Sequence, residues 1–106
     1  MLTSNDQPLA IASKLLTPMT LEHVRCQPFH ARGWRILDRW AQQSPESLRC
    51  LEGKGLVVLL NRLLDQQVIE HAAVMAAMVA GSSHLSEGEI FELAGVATEL
   101  VAEADQ

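Results

Sequence analysis

Prolines divide this chain unequally: they stand at positions 8, 18, 28 and 45, and none follows. Proline has no amide hydrogen and clashes with the turn before it, so each one starts or stops a helix. The front of the chain is therefore cut into short pieces, and everything after Pro45 is free to form long ones. No run of strict apolar/polar alternation supports strands. No internal repeat or low-complexity segment interrupts the reading.

Residues 8–16 place Leu9, Ile11, Ala12, Leu15 and Leu16 on one arc, the pattern of a short amphipathic helix. Thr17-Pro18 is an N-cap followed by proline at the first helical position, and opens a helix to about Cys26. A clearer helix spans 31–43, with Trp34, Ile36, Leu37, Trp40 and Ala41 on one face. Ser44-Pro45 repeats the cap-then-proline signal for a two-turn helix that Gly53 ends.

Between Gly55 and Gly81 a single long helix is expected over 56–80. Its buried stripe would be Val57, Leu60, Leu64, Val68, His71, Met75 and Met78. The last helix, 87–104, opens on a capping box of Ser86 and Glu89. It would bury Ile90, Leu93, Ala94, Ala97, Leu100, Val101 and Ala104. The short loop between the two makes them antiparallel neighbours. The expected fold is all-α: one domain over 1–106, a small helical bundle with short N-terminal helices and a long antiparallel C-terminal helical hairpin. A helix over 56–80 would be about 37 Å long, as wide as the whole compact chain. Its apolar far end, rich in alanine, points to a second copy covering it.

Composition narrows function by exclusion. At 48% hydrophobic and 20% charged the chain is globular, and a net charge of −5 argues against a general nucleic-acid binder. No uninterrupted apolar run is long enough to cross a bilayer, and no Arg/Lys-flanked apolar opening reads as a signal peptide, so neither is expected. Two cysteines, Cys26 and Cys50, do not make a disulfide scaffold, so a cytoplasmic setting is expected.

Charge is sorted along the chain. Residues 1–62 hold all eight basic side chains against five acids, and residues 63–106 hold eight acids and no base. Arg32, Arg35 and Arg39 share one face of the 31–43 helix. They form either a surface for a carboxylate or phosphate partner or a solvated face with Asp38 beside Arg35. Glu92, Glu99 and Glu103 form an acidic edge that could meet it.

Catalytic signals are thin. His23, Cys26 and His30 have zinc-capable spacing but lack a fourth ligand at a paired spacing, so no metal or other cofactor is expected. Gly53-Lys54-Gly55 lacks the upstream glycine and the following hydroxyl of a phosphate loop. No nucleophile signature is present, and no small-molecule substrate is evident. His71, inside the apolar stripe, reads as a core histidine. The pair Met75 and Met78 reads as core or as an adaptable groove. A helix-turn-helix placed at 45–80 would offer Leu56-Val57-Val58-Leu59-Leu60 to the bases, side chains that cannot read their edges.

The expectation is thus a non-catalytic helical interaction or regulatory module. It would be a homodimer that binds or inhibits another protein through Arg32, Arg35 and Arg39 or through Met75 and Met78. The alternative is a nucleic-acid-associated regulator using the basic half.

Overall fold

A computed structural model describes residues 9–82 and 84–100. Among them the chain is helical, with no strand. It is compact, a slab of 43 × 40 × 24 Å, so two helical layers of about 10–12 Å make its thickness.

The first expected helix shrinks to a 3-10 turn, Ala12–Lys14. Leu9 adopts a left-handed backbone (φ 66°), which a helix entered from Pro8 could not contain. What holds the segment is remote. The Asp38 carboxylate accepts from the amides of Leu9 at 2.8 Å and Ala12 at 2.9 Å. Asp38 is therefore spent as a long-range cap and is not paired with Arg35. Leu9, Ala12 and Leu16 still reach the core, because the turn keeps them on one side.

Helix α1 (Pro18–Val24) starts as expected on Thr17, whose hydroxyl accepts from the Thr20 amide. The same start is braced by Glu52, which accepts from the Thr17 amide and from the Thr17 and Thr20 hydroxyls. Helix α2 (Ala31–Gln43) has the expected bounds, and Ile36, Leu37, Trp40 and Ala41 are buried. Trp34 is half-buried, with its indole donating to the Val24 carbonyl. Helix α3 (Pro45–Gly53) begins on the proline, although Ser44 makes no capping bond. The chain turns at Gly55, at φ 130°, a region open to glycine.

Helix α4 (Leu56–Val79) is the long one, 24 residues or about 36 Å. It packs against α2, α3 and α5. Its rotation corrects the expected stripe. The inward residues are Leu59, Leu63, Gln66, Gln67 and Glu70, whereas Val57, Val68, His71, Met75 and Met78 are exposed. Leu60 and Leu64 lie half-buried at the boundary. The reason is local: Leu56-Val57-Val58-Leu59-Leu60 is apolar on every side and chooses no face. The polar residues further on have partners waiting inside.

Helix α5 (Glu87–Ala94) keeps its capping box but ends ten residues before the expected boundary. Gly95 turns left-handed (φ 73°), and the Val96 amide bonds back to the Phe91 carbonyl, a glycine-terminated C-cap. Leu93, Ala94 and Ala97 are consequently exposed, while Ile90, Phe91 and Leu100 are buried. Val101, Ala104 and Glu103 lie outside the described residues.

Gly33 sets the approach of α2 to α4. A Cβ there would collide with the Gln67 amide oxygen, which accepts from the His30 amide while the Gln67 amide nitrogen donates to the Pro28 carbonyl. Gly33→Ala should therefore lower stability by about 1–3 kcal/mol despite alanine's better helix propensity. Thermal melts check this, and a rise in melting temperature would contradict the packing described.

Candidate interaction site

Beneath α4 runs a connected polar spine. Glu70, 1% exposed, receives two bonds from the Arg39 guanidinium at 2.6 and 3.3 Å. Gln66 donates to Glu70 and to the Ala97 carbonyl, both at 2.7 Å, and accepts from Arg62. Arg62 lies 5.1 Å over the Trp40 ring, a cation–π contact. The spine continues into the segment after α5: Arg39 Nε and Trp40 Nε1 both donate to the Thr98 carbonyl. Every described buried side-chain polar atom has a partner.

The arginine face is thus distributed. Arg39 belongs to the spine. Arg32 makes a two-pronged bond to Glu87 at 3.0 Å on each arm, tying α2 to the start of α5. Arg35 is exposed. The basic half does meet the acidic half within the chain, but through Glu70 and Glu87; Glu92 and Glu99 are exposed. The bonded Arg32 guanidinium holds the Glu87 carboxyl below its ordinary value of 4.5 against the opposing pull of partial burial, and the charges of Arg35 and Arg39 add to it.

The outer side of α4 is the second feature. Val57, Val58, Val68, Ile69, Met75, Met78 and Val79 all stand exposed there, Val79 at 90%. From 66 to 80 that side carries no Asp, Glu, Lys or Arg.

The zinc-spaced residues are not brought together as a site. His23 bonds to the Met19 carbonyl, Cys26 to the Glu22 carbonyl, and His30 Nδ1 accepts from the Arg32 amide as the N-cap of α2. No metal-ligand cluster occurs among the described residues. His71 is exposed and meets His30 edge-on, with ring centres 6.4 Å apart, which corrects its reading as a core histidine. No helix is long and apolar enough to cross a membrane among the described residues. Set against known proteins, the chain matches no family, no curated protein and no solved structure.

Two outcomes test this geometry. Arg39→Met leaves Glu70 buried and uncompensated and should cost about 3–5 kcal/mol, most of it recovered in Arg39→Met/Glu70→Met. Denaturant titration of the three variants checks the coupling. Glu87, with a depressed folded-state pKa, adds stability above the ordinary carboxylate range, and that addition is lost as pH falls through the lowered value. Because its side chain is 48% exposed the effect is small. The melting-temperature gap between wild type and Glu87→Gln should close on acidification.

Proposed function

We propose that this chain is a non-catalytic helical interaction module, a homodimer that works by binding another protein. One observation carries the reading: α4 turns Gln66, Gln67 and Glu70 inward and its large aliphatic and thioether side chains outward. Seven large apolar side chains of α4 stand exposed there, Val57, Val58, Val68, Ile69, Met75, Met78 and Val79. From 66 to 80 the outer side carries no charged side chain, as fits an interface core.

A second copy is the simplest occupant, because symmetric dimers use one self-complementary face. In this reading α4 and α5 pack as antiparallel neighbours of a small bundle, which leaves the opposite side of α4 for the partner copy. Arg35 and the acidic outer positions of α5 then remain for a different protein. The free thiols Cys26 and Cys50 suit a reduced, cytoplasmic setting. Engagement of Arg32 and Arg39 by internal acids weighs against use of the basic half on nucleic acid.

Size-exclusion chromatography with light scattering, run over a hundredfold concentration range, should find a dimer. Val68→Glu, at the centre of the strip and exposed, should give a monomer whose own stability changes by no more than about 0.5 kcal/mol. A wild-type monomer at every concentration, or a dimer indifferent to Val68→Glu, would overturn the assignment.

A further inference from the structure

Helix α2 begins in an uncommon way: the side chain that caps it is an imidazole. His30 Nδ1 accepts from the Arg32 amide at 3.2 Å, where Ser, Thr, Asn or Asp is the usual acceptor. An imidazole accepts there only while it is neutral, with its proton on Nε2. The same residue also seats α2 on α4, because its main-chain amide donates to the Gln67 side chain at 3.2 Å. One turn along α4, His71 meets the His30 ring edge-on with centres 6.4 Å apart, and both residues are exposed.

Protonation works against each feature of this arrangement. A proton on Nδ1 sets one donor against another, so the cap is lost. The resulting cation stands at the positive end of the α2 dipole, and the first turn of α2 carries no acid to offset it. A second proton, on His71, adds a like charge across the pair. The charged groups nearby are already committed. Arg32 of α2 and Glu87 at the start of α5 hold each other at 3.0 Å. Glu70 of α4 is buried against Arg39, and the Cys26 thiol ahead of α2 is bonded to the Glu22 carbonyl. Among the described residues no carboxylate bonds to either ring.

We propose that His30 and His71 form an acid-released latch between the start of α2 and α4. Proton uptake by the His30 ring undoes the cap, and charge on His71 pushes the two elements apart. The latch is closed above the ordinary imidazole midpoint of about 6.5 and opens as pH falls through it. The unfolded chain takes up the same protons with nothing to lose. The stability that the latch adds is therefore present at about pH 8 and lost towards about pH 5.5. Carboxylates titrate below this window. The latch lies within one chain, so it stands or falls independently of dimerisation.

Thermal melts at about pH 8 and about pH 5.5 test it. The wild-type melting temperature should fall on acidification. His30→Asn, which keeps an accepting cap at either pH, should show less than half of that fall. His71→Gln, which keeps the cap and removes the second charge, should lie between the two. A wild-type melting temperature that does not fall, or an equal fall in either variant, overturns the proposal. The Arg32 amide gives a second reading in the wild-type chain, without any substitution. Its proton resonance should move in step with the His30 ring as pH crosses the histidine range. An Arg32 amide that stays put while the His30 ring titrates overturns the proposal, whatever the variants do.

Discussion

The bonded pair of Arg39 and Glu70 governs the arrangement of everything around it. A carboxylate with 1% exposure has lost its water, and only a charged, two-pronged partner makes that tolerable. Arg39, on α2, keeps some access to solvent, so the pair is anchored at its buried end and open at the other. Gln66, Arg62 and Trp40 complete the set, and no described buried side-chain polar atom is left unpaired. Such a network fixes the rotation of α4 about its own axis more strictly than aliphatic packing could, because hydrogen bonds have direction and methyl groups do not.

Two consequences follow from that rotation. The large apolar side chains of α4 from Val57 to Val79 are turned away from the core and stand exposed, which is the observation behind the proposed association. The same donors that hold Glu70 also reach past it to Ala97 and Thr98, so one network both seats α4 and grips the segment after α5. The N-terminal pieces are held on a similar plan. They are too short to persist on propensity, and carboxylates from elsewhere cap them: Asp38 for the 3-10 turn and Glu52 for α1.

Punctuation was the legible part of the sequence. Thr17-Pro18, Pro45, the glycines flanking α4 and the Ser86–Glu89 box sit where helices begin or end, and α2 has the bounds its periodicity implies. Two boundaries were misread. Leu9 leaves the helical region under a constraint imposed by Asp38, far along the chain. Gly95 was a readable stop, hidden by apolar spacing that runs on through Leu100. The apolar residues of α4 were legible as a set but not as a face, because its first turns are apolar all round. Arg39 stood among the candidate residues as part of a surface, whereas Glu70 and Gln66 carried no signal that they would join it inside.

Local chemistry thus specified the all-helical class, the order of the helices and most of their ends, since caps, prolines and glycines act within a turn or two of themselves. Which side of α4 is buried, which acids meet which arginines and what becomes of residues 96–100 depended on groups 30 to 60 positions apart finding one another. Those pairings are set by direction and desolvation in the folded interior, and a spacing pattern along one helix contains neither.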